Sequence, residues 1–218
     1  MLHAIIFDFD YTLGDSTKGI ALSVNYALRK LGYAEKSIES IKKTIGLSLK
    51  ETYFTLTGKN DENESQLFSK YFKEKADQVM VDNTELYDGV KENLLHLKNE
   101  GYKLGIVTTK FHYRIEQILA KFDAHDLIDL IVGAEDVKIE KPNPEGLLWA
   151  VEHLGAEKSN VLYVGDSVVD ARTAQNAKVD FAGVLTGTTT REKFEEYPNL
   201  CIVDNISQIC NYISERVQ

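Results

Sequence analysis

The sequence contains few of the residues that cross-link a chain or break its regular structure: two cysteines, three prolines and one tryptophan among 218 residues. Cys201 and Cys210 form no CxxC motif, so we expect neither a disulfide framework nor a cysteine metal site, and this favours a reducing, cytoplasmic location. No apolar run approaches the ~18 residues that span a bilayer, which argues against a membrane protein. The first residues carry no basic leader with a cleavage site, so we also expect no secretion.

The chain is also short of positive charge. Its 25 lysines and arginines stand against 34 aspartates and glutamates, which gives a net charge of −9. This balance argues against binding to a nucleic acid polymer or to an anionic membrane surface, because both attract proteins through basic residues. An anionic substrate would therefore need a local cationic group. The length suits one α/β domain with an insert rather than two full domains.

Short apolar runs rich in isoleucine, valine and phenylalanine recur along the chain and alternate with helix-like segments. Such alternation requires right-handed crossovers and predicts an α/β fold, a doubly wound parallel sheet covered by helices on both faces. The five candidate strands are residues 3–7, 102–107, 127–132, 160–164 and 179–184. Asn143 is expected to cap a helix whose first residue is Pro144.

One stretch interrupts this alternation, because from about Ser16 to Asn83 the apolar spacing is helical throughout. One apolar face comprises Ile20, Val24, Ala27, Leu28 and Leu31, and a second comprises Leu67, Phe68, Tyr71, Phe72 and Val79. We therefore expect a helical cap at residues 16–83, inserted into an α/β core made of residues 1–15 and 84–218.

Polar residues follow the predicted strands, at the sheet edge where open parallel sheets bind ligands. Asp8 and Asp10 follow the first strand. The others are Thr108, Thr109 and Lys110 after the second strand, Lys141 after the third, and Asp166, Ser167 and Asp170 after the fourth. Four carboxylates, Lys141 and several hydroxyls among them are thus predicted to converge on one edge.

Carboxylates gathered in this way repel one another, by roughly 4 kcal/mol for two unit charges 4 Å apart at an effective dielectric of 20. A divalent cation such as Mg²⁺ would relieve the repulsion, since it binds carboxylate oxygens, water and phosphate. Together with Lys141 it supplies +3 against −4, which would leave the fourth carboxyl protonated as a general acid. A carboxylate nucleophile, a metal, a cation and an acid are the components of phosphoryl transfer.

Four motifs in this order resemble those of the haloacid dehalogenase-like hydrolase superfamily. They are Asp8-Phe9-Asp10-Tyr11-Thr12, Thr108, Lys141 and Gly165-Asp166-Ser167-Val168-Val169-Asp170. The resemblance implies a Rossmann-like core in which Asp8 is a nucleophile that forms an aspartyl-phosphate. It further implies that Asp10 is the acid/base.

The same resemblance assigns the remaining motif residues to a metal and a phosphoryl group. It implies that Mg²⁺ is held by Asp8, by the main-chain carbonyl of Asp10 and by Asp166. The phosphoryl oxygens would be bound by Thr108, Thr109 and Lys141. Asp170 would contact the metal's waters or Lys141, with Ser167 beside it.

The insert is similar to the small helical cap of the phosphoglycolate phosphatase-like branch. Gly46 and Ser48 lie in what resembles the glycine-centred specificity loop of that cap, and with Lys43 they are candidate substrate contacts. Tyr11 is a further candidate, because most relatives carry glycine at this position. The presence of Asp10 favours phosphoester over carbon–halogen chemistry, since the dehalogenases of the superfamily lack it.

The leading hypothesis is a Mg²⁺-dependent phosphatase acting on a small phosphorylated metabolite, such as phosphoglycolate, a sugar phosphate or a nucleotide. A phosphosugar mutase of the β-phosphoglucomutase kind shares the motifs but usually has an arginine shortly after the cap-loop glycine, where this chain has Leu49 and Lys50. A non-catalytic phosphate-binding module is the third hypothesis, disfavoured because every catalytic position is filled.

Overall fold

A six-stranded parallel sheet is the central feature of the computed structural model, which describes residues 2–217. The strands of the chain are β1 (Ala4–Phe7), β2 (Gly14–Asp15), β3 (Glu85–Leu86), β4 (Lys103–Val107), β5 (Leu130–Val132), β6 (Val161–Gly165), β7 (Asp180–Val184) and β8 (Cys201–Val203). The sheet order is β5-β4-β1-β6-β7-β8 and its neighbours run parallel, while β2 and β3 form a separate pair. The predicted doubly wound α/β fold is confirmed.

The helices are α1 (Thr17–Lys30), α2 (Ile38–Lys42), α3 (Leu49–Thr57), α4 (Glu62–Val79), α5 (Val90–Asn99), α6 (His112–Lys121), α7 (Glu145–His153), α8 (Val168–Ala177), α9 (Arg191–Phe194) and α10 (Ile206–Val217). Within the part of the chain that the structure describes, none of them has the length and apolar character needed to cross a bilayer.

The chain divides into two compact units. The α/β unit comprises Met1–Gly14 with Leu86–Gln218, and the helical unit comprises Asp15–Glu85. The expected limits of the cap, 16 and 83, lie one and two residues inside the limits of the helical unit.

Strand β1 lies in the middle of the sheet, between β4 and β6, and all four of its side chains are fully buried. Ile6 shares a core cluster with Leu147 of α7 and Ala171 of α8, on one face of the sheet. Because successive side chains of a strand point to opposite faces, Ile5 and Phe7 lie on the other. A strand buried on both faces is continuously apolar, which is why this segment shows no alternation of polar and apolar residues.

The helical unit has a core of its own, in which α1 packs along α4. Val24, Leu28 and Phe68 are fully buried there. Leu67, placed on the apolar face from its spacing, is instead 42% exposed, because the apolar stripe of α4 is narrower than the spacing suggested. Helix α3 begins at a capping box in which the Ser48 hydroxyl accepts the Glu51 N–H at 3.2 Å.

Two predicted element boundaries were wrong. The strand expected at 127–132 is only Leu130–Val132, because residues 125–127 form a 3₁₀ turn and Asp129 pairs with β4 through its backbone N–H and its carboxylate, both bonded to Leu104. Helix α7 starts one residue later than expected. The Pro144 carbonyl accepts the first helical N–H, that of Leu148, so Pro144 takes the cap position.

Candidate active site

Asp8 is the first residue beyond β1, and its N–H continues the sheet by donating to the Val164 carbonyl at 2.8 Å. The chain then turns back tightly, because the Phe9 carbonyl accepts the Leu13 N–H at 2.9 Å and the Tyr11 N–H donates to Gly14 at 2.8 Å. This turn keeps both Asp8 and Asp10 buried at the end of the strand.

Lys141 lies at the centre of the site and is buried, with only 7% of its surface exposed. It donates hydrogen bonds to Asp170 Oδ1 at 2.7 Å and to the Tyr163 hydroxyl at 3.1 Å. Its Nζ also forms an ion pair with Asp8 Oδ1 at 2.9 Å. Two of the three ammonium N–H groups are therefore committed to Asp170 and Tyr163, which leaves the third for Asp8 or for a phosphoryl oxygen.

Asp170 is fully occupied by protein groups. Its Oδ1 accepts from Lys141 and from the Tyr163 hydroxyl, and its Oδ2 accepts from the backbone N–H and the hydroxyl of Ser167. In return the Ser167 hydroxyl accepts the Asp170 N–H at 3.2 Å, which completes a capping box at the start of α8. Asp170 thus serves two purposes, as a helix cap and as the partner of Lys141.

The carboxyls of Asp8 and Asp166 are strongly perturbed by burial. Desolvation raises the pKa of Asp8 to about 6, although the Lys141 charge opposes the shift. Desolvation likewise raises the pKa of Asp166 well above its usual range, and the charges of Asp170 and Asp8 add to the effect. Burial alone would lower the pKa of Lys141, but Asp170 and Asp8 hold it well above its ordinary value.

Oxygens of Asp8, Asp166 and Asp170 all lie within 4.8 Å of one another, close enough to share a metal ion. Since Asp170 is already saturated with hydrogen bonds, Asp8 and Asp166 are the carboxylates that remain for a cation. Hard oxygen donors held in a buried, electrostatically strained group fit Mg²⁺. The residues present therefore suit the metal expected from the sequence.

A loop after β7 closes the site on the side of Asp166. A Cβ added to Gly187 would lie 1.9 Å from Asp166 Oδ2, so only glycine allows this backbone to pass the carboxylate. In the same loop the Thr186 hydroxyl donates to the Tyr11 carbonyl. Tyr11 itself is buried and adopts a left-handed backbone conformation with φ of 60°, which explains why glycine suits this position better than most residues.

Two residues of this site were given no role from the sequence, although Lys110 was noted after the second strand. Lys110 Nζ lies 2.9 Å from Asp10 Oδ2, and both side chains are almost completely buried. Tyr163 lies within β6, and its hydroxyl contacts Lys141, Asp170 and the Val107 carbonyl. A tyrosine in an otherwise apolar buried strand is a usable signal, because its hydroxyl needs a partner.

Lys110 changes the count of charges. The charge balance expected from the sequence sets the +3 of Mg²⁺ and Lys141 against the −4 of four carboxylates. With Lys110 the cationic charge would rise to +4, so the balance of charge does not by itself identify which carboxyl is protonated, and the acid has to be assigned from position. Lys110 follows Thr108, whose hydroxyl accepts the Lys110 N–H at 3.2 Å.

The other expected site residues are distributed over both units. Thr108 is buried after β4 and Thr109 is half-buried beside it. Lys43, Gly46 and Ser48 belong to the helical unit, where Lys43 is exposed at the end of α2 and Ser48 caps α3. Their role as substrate contacts stays a prediction.

Comparisons with known proteins agree with this geometry. Residues 5–184 match the family model described as haloacid dehalogenase-like hydrolase. A phosphoglycolate phosphatase from Psychrobacter arcticus is 31% identical over 218 residues, which cover 96% of this chain and 94% of that protein. The pyrophosphatase PpaX from Bacillus velezensis is 31% identical over 195 residues, 88% of either chain.

Solved structures give the same result. One described as a haloacid dehalogenase-like hydrolase from Bacteroides fragilis superposes with a TM-score of 0.93 at 41% identity, covering 96% of this chain and 100% of that one. A second, described as a predicted phosphatase from Clostridium acetobutylicum, has a TM-score of 0.90 at 27% identity and covers 99% of this chain and 100% of that one.

Proposed function

The chain belongs to the haloacid dehalogenase-like hydrolases, and we propose that it is a Mg²⁺-dependent phosphatase that acts on a small phosphorylated metabolite through an aspartyl-phosphate at Asp8. The observation that carries this proposal is the ion pair between the Asp8 carboxylate and buried Lys141, whose Nζ lies 2.9 Å from Oδ1. Asp166 supplies a second carboxylate close enough to share a metal ion with Asp8. A buried carboxylate held by a cation is poised to attack an anionic phosphorus centre.

In the first half of the reaction, Asp8 attacks phosphorus and the bond from phosphorus to the leaving oxygen breaks. Asp10, two residues further on, delivers a proton to that oxygen as it departs. The Lys141 N–H group that is free of Asp170 and Tyr163 donates to a phosphoryl oxygen and balances its charge, with Thr108 and Thr109 as further donors.

In the second half, water attacks the phosphorus of the aspartyl-phosphate and gives its proton to Asp10. Phosphate leaves, and both aspartates return to their starting states. Mg²⁺, when bound by Asp8, Asp166 and the Asp10 carbonyl, would supply Lewis-acid stabilisation of the charge on the transferring phosphoryl group.

The substrate class is supported by the named activities of the relatives and by the charge of the chain. Phosphoglycolate and pyrophosphate are both small anions, and a net charge of −9 disfavours polymeric phosphates. Our proposal includes small soluble substrates, a cytoplasmic location as expected from the scarcity of cysteine, and recognition by residues of the helical unit such as Lys43, Gly46 and Ser48.

The test is phosphate release from a panel that includes 2-phosphoglycolate, pyrophosphate, sugar phosphates and nucleotides, read as kcat/KM with Mg²⁺ and with EDTA. We expect activity that requires Mg²⁺ and falls at least about 10³-fold in Asp8→Asn. Asp129→Asn, a lysine-paired aspartate outside the site, is the matched control and should retain activity. Wild-type turnover by Asp8→Asn would refute the assignment of the nucleophile. Activation by a sugar bisphosphate with little phosphate release would favour the mutase instead.

A further inference from the structure

We propose that Lys110 is a positioning residue for Asp10: it holds one oxygen of that carboxyl and thereby directs the other toward the leaving group. The inference rests on the proposed function, in which Asp10 is the acid/base. Lys110 belongs to none of the motifs that carried the sequence argument, and its only ion-pair partner among residues 2–217 is Asp10.

The first support is the geometry of the pair. Lys110 Nζ lies 2.9 Å from Asp10 Oδ2, and the two side chains are 5% and 10% exposed. A lysine buried to this degree is rare unless it is paired, so the side chain has a defined function in this position. Its distance from Oδ2 fits a charge-assisted contact that restricts rotation of the carboxyl group.

The second support is that the backbone of Lys110 is fixed on both sides. Its N–H donates to the Thr108 hydroxyl at 3.2 Å, and its carbonyl accepts the Ala134 N–H at 3.0 Å. The lysine is therefore anchored to the end of β4 and to the turn after β5. An ammonium on an anchored backbone can hold a carboxyl in one orientation.

The third support is the other oxygen of the same carboxyl. Asp10 Oδ1 is buried and accepts no hydrogen bond from the described residues. A buried polar atom without a partner is costly unless a ligand satisfies it. With Oδ2 held by Lys110, Oδ1 is the oxygen available to carry the proton to the departing group.

The experiment uses the dependence of rate on the leaving group. Phenyl phosphate and p-nitrophenyl phosphate have the same ring, but phenolate is more basic and depends more on protonation as it departs. In Lys110→Met, which removes the charge at similar side-chain length, we expect kcat/KM to fall about 10- to 100-fold for phenyl phosphate. For p-nitrophenyl phosphate the loss should be only a few-fold. A substitution that only disturbed the fold would lower kcat/KM equally for both substrates.

Four further variants complete the design. Asp10→Asn should show the same selective loss, and the double variant Asp10→Asn with Lys110→Met should be no worse than Asp10→Asn, because both changes act on one group. Lys98→Met, which breaks the 2.7 Å pair with Asp129 elsewhere in the α/β unit, should leave the ratio of the two rates unchanged. Lys110→Gln retains an N–H donor and should give an intermediate ratio, and it serves as the test if Lys110→Met does not fold.

Equal losses on both substrates, additive effects in the double variant, or no loss in either Lys110 variant would overturn the role of Lys110. A wild-type enzyme that releases phosphate from neither substrate nor from the metabolite panel contradicts the proposed function itself.

Discussion

At the scale of single residues, the orientation of Lys141 depends on a hydroxyl. Asp170 and Tyr163 take two of its N–H groups, and the ammonium then lies 2.9 Å from Asp8 Oδ1 with its third N–H uncommitted. The Tyr163 hydroxyl has a single proton, for which Asp170 and the Val107 carbonyl compete at 3.0 and 3.1 Å. The hydroxyl therefore accepts from Lys141 while it donates its own proton to one of these two oxygens, and the accepted bond fixes the ammonium.

Tyr163→Phe should lower kcat about tenfold while changing KM less than about twofold, because a less restrained Lys141 stabilises the transition state less than before. Because the ring remains in the core, the free energy of unfolding should fall by only about 1–2 kcal/mol, the value of a buried hydrogen bond. Steady-state kinetics and urea unfolding check both expectations. Tyr53→Phe removes another buried hydroxyl, bonded to Glu64 in the helical unit, and should affect stability alone. An unchanged kcat in Tyr163→Phe would contradict the role given to the hydroxyl.

The sequence identified the residues that follow strands, such as Asp8, Lys141 and Asp170, because strand ends can be read from apolar runs. It did not identify the partners Lys110 and Tyr163. Lys110 was visible after the second strand, yet nothing in its spacing related it to Asp10, which is 100 residues earlier. Side-chain pairing across strands depends on sheet order and backbone direction, and neither can be read from local sequence.

At the scale of elements, long strands and helices were predictable and short ones were not. Four strands of the sheet have four or five residues each, and their limits lie within about one residue of the predicted ones: β1, β4, β6 and β7. The pair β2–β3 and strand β8 contain two or three residues, too few for any periodicity. The loop after β7, which approaches Asp166 at Gly187, was not predicted for a related reason. The only trace of this close approach in the sequence is one glycine, and a single glycine does not show which residue lies beside it.

Gly187→Ala should raise the Mg²⁺ concentration for half-maximal activity about tenfold, because the added methyl must displace Asp166 or the loop beside it. The measurement is activity against Mg²⁺ concentration at saturating substrate. Gly105→Ala is the control, since its methyl would meet the end of the Leu154 side chain at 3.2 Å, a group that can shift. An unaltered Mg²⁺ requirement in Gly187→Ala would show that Asp166 tolerates the intrusion.

At the scale of the whole molecule, part of the negative charge is buried at a cost to stability. The pKa of Asp8 rises from 3.8 to about 6 on folding. The folded state therefore binds its proton more tightly than the unfolded state, and the benefit is complete below about pH 4 and lost as the pH rises through 6. Asp166 shifts in the same direction. The metal-free protein should accordingly become less stable across this window.

We expect the free energy of unfolding in EDTA to fall by roughly 2 kcal/mol between pH 4.5 and pH 7.5 on account of Asp8. Mg²⁺ should restore stability at the higher pH, since it binds the ionised carboxylates. Urea unfolding at both pH values checks this. The pH dependence of Asp8→Asn should be smaller than that of the wild type, and this difference separates Asp8 from the general effect of net charge. Equal pH dependence in the two proteins would contradict the shift.

The position of β1 has a consequence for how the chain is made. Among the six strands of the sheet it is the first to leave the ribosome, but its partners are residues 103–107 and 161–165. At about 5–20 residues per second, the strand waits on the order of 10–30 s for both neighbours. During that time its run of isoleucine and phenylalanine is exposed, an aggregation hazard that lasts longer when synthesis is slower. A chaperone that covers this strand until residue 165 has been made should therefore increase the yield of folded protein more than added Mg²⁺ does.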